Sequence, residues 1–289
     1  MNANKALWEK GNFSEIAAYM RDAGREVAEG LGIKPGMKVL ELGCGDGTTA
    51  IPIAELGAEV LGVDIASNLV AAGNRRAAQA GLTNIRFQEG DACDLKDIPD
   101  DTFDLTHSCF GAMFAPDPVA VAKEMVRVTK PGGKVVMGNW IPGDKTSFVS
   151  LLLQIGASYT PPPPVGFVSP MLWGVEAQIV ERFQAAGVPV SNISTEKGVF
   201  TFVSDEKTPE DFIDSLRTWY GPTMNAYEAA RELGKEDDLH RELVEMANSQ
   251  NRSENGRTSI PATYLKVSVR VSEYVSANPD IESSQQIVL

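Results

Sequence analysis

Three glycines at alternate positions, Gly43, Gly45 and Gly47, follow a short apolar run that begins at Val39. The run has the composition of a buried strand, and the glycines predict a turn without side-chain bulk. Such a turn lets a flat ligand lie against bare backbone. The residues from Thr48 onward favour a helix whose first amides would face the same ligand. The spacing therefore predicts a site for a nucleotide-like ligand.

Acidic residues end or follow the next two predicted strands. Asp64 ends the strand predicted over 59–64, and Asp91 follows the strand predicted over 85–89. A carboxylate at the end of such a strand can accept hydrogen bonds from both ribose hydroxyls. Asp91 could accept one from an adenine amino group. Because the carboxyl ends of parallel strands meet at one edge of a sheet, we expect these groups to face one crevice.

A dinucleotide site also consists of a strand, a glycine turn and a helix, so the glycine spacing must discriminate. The dinucleotide fingerprint requires Gly-x-Gly-x-x-Gly. Gly43 and Gly45 fit it, but Thr48 occupies the third glycine position and Gly47 comes one residue early. The spacing argues against an NAD-dependent oxidoreductase, which stays as an alternative.

The elements that position these residues alternate between strand and helix. We predict strands over 38–42, 59–64, 85–89, 103–108 and 134–139, and helices over 48–56, 66–80 and 118–129. Such alternation means right-handed crossovers and a parallel sheet covered on both faces. An amphipathic helix over 14–31 precedes the sheet.

Beyond Trp140 the regular alternation of strands and helices ends. We predict helices over 148–159 and 175–186, then a strand pair over 188–194 and 198–203. Thr208, Pro209 and Asp211 form a helix-start signal before a charged, helical stretch. Residues 260–275 are ambiguous, because valines alternate there as in a strand inside what could be a terminal helix.

Composition excludes several classes of protein. The 289 residues are 43% hydrophobic, which is enough for a sizeable core. The 26 Lys and Arg against 39 Asp and Glu give a net charge of −13, which disfavours a nucleic-acid partner. Three cysteines form no CxxC pair and no apolar run reaches about 18 residues, so we expect a cytoplasmic protein without membrane spans.

From about Pro35 to Trp140 the chain resembles the class I S-adenosylmethionine-dependent methyltransferases, and within them the small-molecule group similar to the ubiquinone and menaquinone biosynthesis methyltransferases. The residues that carry the resemblance are the first motif Glu41-Leu-Gly-Cys-Gly-Asp-Gly47, the ribose acid Asp64, the adenine-side motif Gly90-Asp-Ala92, the fourth strand Asp104–Ser108 and the turn Arg127–Gly133. The resemblance implies an α/β, Rossmann-like, doubly wound seven-stranded sheet, mostly parallel with an antiparallel last strand, under a helical cap.

The resemblance also implies S-adenosyl-L-methionine as the cofactor and a role for each matching residue. Glu41 would hold the glycine turn in place. The backbone of Gly43, Cys44 and Gly45 would run alongside the methionine part of the cofactor. Asp64 would accept hydrogen bonds from the ribose hydroxyls, and Ile65 would pack on the adenine ring. The remaining implied contacts are Asp91 and Ala92 at the adenine edge, and Ser108 and Cys109 near the methionine end and the reacting methyl group.

The acceptor site has no motif. Large apolar side chains cluster after the fourth and fifth strands and around the run Pro161–Pro164, on the side from which an acceptor must approach. The acceptor residues that we predict are Cys109, Met113, Trp140, Tyr159 and Trp173. His107 is a weak candidate for a general base, since it is as well suited to pack away from the cleft. No metal site is expected.

We therefore expect a methyltransferase for a small, aromatic or largely apolar acceptor. The expected organisation is an N-terminal helical cap segment (1–34), a cofactor-binding domain (35–204) with a lid insertion at about 141–187, and a helical C-terminal extension (205–289). A second alternative is a cofactor-binding protein without transferase activity.

Overall fold

The computed structural model describes residues 3–273 of the chain. Its strands are β1 (Lys38–Leu42), β2 (Glu59–Asp64), β3 (Ile85–Glu89), β4 (Phe103–Cys109), β5 (Thr129–Trp140), β6 (Ile193–Ser204) and β7 (Thr258–Arg270). They form one seven-stranded sheet in the order β3-β2-β1-β4-β5-β7-β6. The strands β1 to β5 pair in parallel, and β7 is antiparallel to both of its neighbours, β5 and β6. This confirms the mostly parallel, Rossmann-like sheet with an antiparallel last strand.

Helices cover both faces of the sheet and form a cap above one end. The α-helices of the described chain are α1 (Ala3–Glu9), α2 (Phe13–Ala17), α3 (Arg21–Glu29), α4 (Ala50–Glu55), α5 (Ser67–Gln79), α6 (Pro118–Val128), α7 (Phe148–Tyr159), α8 (Glu176–Ala185), α9 (Pro209–Trp219), α10 (Gly221–Glu232) and α11 (Glu236–Gln250). Short 3-10 turns lie at Ala18–Met20, Ala112–Phe114, Pro170–Gly174 and Val190–Asn192.

The central strands β1, β2 and β4 are buried on both faces, as a covered parallel sheet requires. Along β1, Val39 belongs to one hydrophobic cluster, while Leu40 and Leu42 belong to a second one. Successive strand residues point to opposite faces, so the two clusters are the two sides of the sheet. This rigid sheet holds the strand ends, and the groups that follow them, in fixed positions.

The C-terminal part of the chain differs from its predicted organisation. The predicted helical extension contains β7, which pairs with β5 through Val267 and Met137 and with β6 through Val267 and Thr195. The cofactor-binding sheet therefore needs residues beyond 204. The predicted strand pair over 188–203 is one strand, β6. Residues 274–289 of the expected extension lie outside the described residues.

The cap comes from three separate parts of the chain. The helices α1 and α2 precede the sheet, α7 follows β5, and α9 to α11 lie between β6 and β7. Of the lid predicted at 141–187, α7 packs against α10 and α11, whereas α8 packs beside α6 as a flanking helix of the sheet. Helix α9 begins at the predicted capping box, in which Thr208 and Asp211 bond reciprocally. No helix within residues 3–273 is long and apolar enough to cross a membrane.

Candidate active site

A large cavity opens at the carboxyl ends of β1, β2 and β4, beneath the cap. It holds about 1240 Å³ of empty space, counted to its open mouth. One side, here called the polar half, is lined by Glu41, Gly43, Cys44, Gly45, Asp46, Thr48, Thr49, Asp64, Ile65, Gly90, Asp91 and Ala92. The other side, here called the apolar half, is lined by Trp8, Phe13, Ile16, Met20, Cys109, Phe110, Phe114, Trp140, Phe148, Val149, Leu152, Phe202, Phe212, Leu216 and Tyr220.

The glycine turn brings bare backbone to the polar half. The amides of Gly43 and Cys44 donate to the carbonyl oxygen of Val63 at 2.8 and 3.1 Å, which fixes the turn against β2. Gly45 has a φ of +53°, and no atom lies within 4 Å of the position that a Cβ would take. The space above Gly45 is therefore open for a ligand.

Asp64 joins the ends of β1 and β2. Its Oδ2 accepts a hydrogen bond from the amide of Gly45 at 2.8 Å, and its Oδ1 accepts one from Ala66 at 2.9 Å. Burial raises the pKa of the Asp64 carboxyl above its ordinary value, and these backbone donors oppose that rise. A carboxylate offers about four lone-pair sites, so it retains capacity to accept from a ligand.

Glu41 lies beneath the turn, with both carboxylate oxygens engaged inside the protein. Oε2 lies 2.6 Å from Nδ1 of His107, and Oε1 accepts a hydrogen bond from the Thr49 hydroxyl at 2.5 Å. His107 is 1% exposed and does not line the cavity. The structure therefore places this histidine where it orients Glu41, and not where it reaches an acceptor.

Two arginines hold Asp46, the residue between Gly45 and Gly47. Arg21 of α3 forms a bidentate pair with the carboxylate at 2.6 and 2.9 Å, and Arg76 of α5 donates to the Asp46 carbonyl oxygen at 2.6 Å. Arg21 also donates to the Thr48 hydroxyl at 2.6 Å. This clamp fixes the N-terminal segment to the glycine turn.

Helix α1 crosses the ends of β2 and β3. Glu9 accepts from the amide of Ser67 at 2.9 Å, and Lys5 pairs with Glu89 at 2.6 Å. Asp91 lines the cavity below, where one of its oxygens accepts from the amide of Cys93 at 2.9 Å. The adenine-side residues therefore lie near α1, a helix within the predicted cap segment 1–34 that the helix predicted over 14–31 does not include.

The apolar half begins directly beside the glycine turn. A Cβ on Gly111 would lie 2.1 Å from the carbonyl oxygen of Gly43, so the loop after β4 touches the turn backbone to backbone. The preceding residue, Phe110, has a φ of +61°, which is costly for a bulky side chain. That conformation stacks its ring on Trp140, with the ring centroids 3.5 Å apart.

Aromatic rings continue from Trp140 to the cap. Phe202 stacks near Trp140 at 6.0 Å, and Phe212 of α9 lies 5.3 Å from the rings of both Phe202 and Phe148. Phe212, Leu216 and Tyr220 follow each other at intervals of four residues, so one stripe of α9 and its C-terminal end lines this half of the cavity. The result is a continuous apolar chamber next to the turn.

Several predicted residues lie elsewhere. Ser108 is buried between β4 and β1, where its hydroxyl donates to the carbonyl oxygen of Leu42 at 2.6 Å. Met113 is buried in the core, and Trp173 lies beneath the guanidinium of Arg182. The Tyr159 hydroxyl donates to Glu242 at 2.7 Å. Of the predicted acceptor residues, the structure brings only Cys109 and Trp140 to the cavity.

The two thiols that line the cavity have raised pKa values. Burial raises the pKa of Cys44 and of Cys109 well above the ordinary value, so both stay protonated near neutral pH. Within residues 3–273, no group of three or more His, Cys, Asp or Glu side chains is arranged to hold a metal ion.

The residues that sequence reasoning missed come mostly from the cap. Phe13 and Ile16 line the cavity from before the sheet, and Leu216 and Tyr220 line it from the segment between β6 and β7. Arg21 of α3 binds Asp46 of the glycine turn. These residues lie in or next to segments whose helical periodicity is visible in the sequence. That periodicity does not predict which surface the helix packs against.

Comparisons with known proteins agree with this geometry. The family model described as a methyltransferase domain matches residues 39–133. A Mycobacterium tuberculosis protein, named only as an uncharacterized protein, is 33% identical over 249 residues, which are 84% of this chain and 86% of that protein. The demethylmenaquinone methyltransferase of a Geobacillus strain is 37% identical over 109 residues, 37% of this chain and 46% of that enzyme.

One solved structure extends the likeness to the fold. The phosphoethanolamine N-methyltransferase 2 of Haemonchus contortus, in complex with phosphomonomethylethanolamine and S-adenosylhomocysteine, matches with a TM-score of 0.58 at 16% identity. The match covers 94% of this chain and 61% of that one. With the open glycine turn and two acids at consecutive strand ends, the polar half fits the nucleoside of S-adenosylmethionine, the cofactor of this family. The chain belongs to the class I S-adenosylmethionine-dependent methyltransferases.

Proposed function

We propose that the polar half holds S-adenosylmethionine through the residues at the three strand ends. The backbone of Gly43 to Gly45 contacts the methionine part of the cofactor. Asp64 accepts hydrogen bonds from the ribose hydroxyls, and Asp91 accepts one from the adenine amino group. Two observations support this assignment: the open space above Gly45, and the free lone pairs of a carboxylate whose position two backbone amides fix.

We further propose that the acceptor is a small, largely apolar, aromatic molecule bound in the apolar half. The single observation that carries this proposal is the unbroken set of ring contacts from Phe110 through Trp140 and Phe202 to Phe212. An acceptor of this kind stacks on such rings and displaces water from apolar surface. A strongly charged acceptor would lose its hydration there without a counter-charge.

Methyl transfer from a sulfonium depends more on the alignment of the acceptor than on a general base. S-adenosylmethionine supplies a methyl group on a sulfonium sulfur, which is already a good leaving group. The chain aligns the acceptor and excludes water, a contribution of about 7–11 kcal/mol in favourable cases. Cys109 and Tyr220 are the titratable side chains of the apolar half as defined above, and burial raises the pKa of both. We therefore infer an acceptor atom that attacks without a protein base, such as a neutral amine, or a thiol or phenol ionised beside the sulfonium, whose positive charge balances it.

His107 provides a first test, because a positioning role and a catalytic role predict different results. Replacing it with alanine should lower the free energy of unfolding by about 2–4 kcal/mol, since Glu41 loses a buried partner and a cavity forms. His107→Asn, which can return a donor to the Nδ1 position, should recover much of that loss. Urea unfolding measures both variants.

The asparagine variant also discriminates between the two roles of His107. If it folds and binds S-adenosylhomocysteine like the wild type but transfers no methyl group, His107 takes part in the chemistry. Normal transfer by this variant supports the positioning role.

The acceptor class is tested by methyl transfer and by filling the apolar half. Wild-type enzyme with labelled S-adenosylmethionine should methylate at least one of 1-naphthol, 1-naphthalenethiol and 1-naphthylamine, with the product identified by mass spectrometry. Leu216→Trp should lower this transfer at least about tenfold by overpacking the chamber, while S-adenosylhomocysteine affinity stays within about twofold.

A matched substitution controls for the added bulk. Leu233→Trp places the same side chain at an exposed position outside the cavity and should leave transfer unchanged. Transfer to phosphoethanolamine but to none of the aromatic compounds would overturn the proposed acceptor class. If the protein binds the cofactor but transfers no methyl group to any of these acceptors, the result would favour a cofactor-binding protein over an enzyme that methylates small aromatic molecules.

The charge and the thiols of the chain support a proposed partner and a proposed compartment. A net charge of −13 opposes the phosphates of a nucleic acid, which supports a small molecule as the partner. All three cysteines, Cys44, Cys93 and Cys109, are free thiols, as is usual in a reducing compartment. We accordingly place the enzyme in the cytoplasm.

A further inference from the structure

Tyr220 brings a polar group into the apolar half. It follows the last residue of α9, and its ring lies 6.0 Å from the ring of Trp8 and 6.1 Å from that of Phe13. These contacts to the N-terminal segment leave the side chain 8% exposed. The ring is therefore held in place by helices on both sides.

The hydroxyl of Tyr220 forms no hydrogen bond with the protein within residues 3–273. Other buried tyrosines do find partners: Tyr19 bonds Ser215 at 3.2 Å, and Tyr227 bonds His240 at 2.8 Å. The Tyr220 oxygen is not fully enclosed by the described part of the chain, and Tyr220 is among the residues that line the cavity. Because an unpaired buried hydroxyl is costly, the site is built for a partner that comes from outside the chain.

The protonation state of Tyr220 decides which kind of partner it takes. Burial raises the pKa of the phenol above its ordinary value, so the proton stays on the oxygen at neutral pH. A protonated phenol in apolar surroundings donates a hydrogen bond and does not remove a proton. The hydroxyl oxygen can also accept a hydrogen bond, but its unused proton is satisfied only by an acceptor atom on the ligand.

We propose that Tyr220 is a specificity-determining residue that donates a hydrogen bond to an oxygen atom carried by the aromatic acceptor. The inference rests on the proposed function, because it presumes an aromatic ligand in the apolar half. It narrows that class to oxygen-substituted rings, such as phenols and their ketone forms. A ring of the same size without the oxygen leaves the hydroxyl unpaired and binds more weakly.

The test compares two ligands of similar shape on enzyme saturated with S-adenosylhomocysteine. Calorimetry measures the binding of 1-naphthol and of 1-methylnaphthalene to the wild type, Tyr220→Phe and Tyr227→Phe. We expect Tyr220→Phe to weaken 1-naphthol about fivefold, the effect of one neutral hydrogen bond, and to leave 1-methylnaphthalene unchanged. Tyr227→Phe removes a hydroxyl of α10 outside the cavity and should change neither ligand.

Each other outcome overturns the inference in an identifiable way. If Tyr220→Phe weakens the binding of both ligands equally, or of neither, the hydroxyl does not bind the oxygen of the ligand, although the proposed function stands. If it weakens S-adenosylhomocysteine and not 1-naphthol, the hydroxyl serves the cofactor. If neither ligand binds the wild type, the proposed acceptor class itself fails.

Discussion

Replacing Asp64 with alanine is expected to weaken the binding of S-adenosylhomocysteine by about 100-fold or more. The substitution removes the proposed partner of the ribose hydroxyls, and it also releases the amides of Gly45 and Ala66 that the carboxylate holds. Both effects act on the same ligand, one directly and one through the shape of the turn. Isothermal titration calorimetry on the purified enzyme measures the affinity.

Asp104→Ala is the matched control for this experiment. Asp104 also joins β4 to β1 through a backbone amide, since it accepts from Lys38 at 2.8 Å, but it does so at the opposite ends of the strands. Its removal should lower stability without changing cofactor affinity. Equal affinities of the Asp64 and Asp104 variants would contradict the role that we propose for Asp64.

Gly45→Ala is expected to weaken cofactor binding by about 10- to 100-fold, because the new methyl group enters the space above the turn. No protein atom lies within 4 Å of that methyl position, so the loss does not come from a clash inside the protein. The positive φ of Gly45 adds a cost of about 1–2 kcal/mol to the folded state. Calorimetry and urea unfolding separate the two effects.

Gly32→Ala isolates the backbone cost. Gly32 has a φ of +71°, also with no atom within 4 Å of its Cβ position, and it lies outside the cavity. The two variants should lose similar stability, while only Gly45→Ala loses affinity. If Gly45→Ala binds S-adenosylhomocysteine as tightly as Gly32→Ala does, the cofactor does not lie on this backbone.

The two halves of the cavity have different origins in the chain. The polar half comes almost entirely from the ends of β1, β2 and β3 and the residues just after them. The apolar half combines strand ends with three cap segments that are far apart in sequence. We infer that the sheet determines cofactor binding, while the cap largely determines which acceptor binds, because three cap segments line the apolar half together with the strand ends.

The sheet and its polar half were predictable from local patterns. Short apolar runs that alternate with helical stretches predict a parallel sheet, and such a sheet brings its strand ends to one edge. Gly45, Asp64 and Asp91 could therefore be placed in one site before any distance was known. Their individual contacts with the cofactor stay predictions that the experiments above test.

The position of β7 could not be predicted in this way. Alternation of Val267, Val269 and Val271 showed a strand pattern, but pairing with β5 and β6 joins residues far apart in the sequence. Hydrogen bonding between distant strands depends on which edge is free. Local periodicity carries no information on that point, so residues 260–275 stayed ambiguous and the extension over 205–289 was expected to be helical.

The acceptor chamber shows the same limit most clearly. The sequence by itself determined the fold class, the glycine turn and the acids at the strand ends, because those follow from spacing within a few residues. Only the tertiary structure decided that Leu216 and Tyr220 line the cavity while Tyr159 and Trp173 do not. An amphipathic or aromatic segment reveals that a face is buried, but its burial partner depends on how distant helices pack over the sheet.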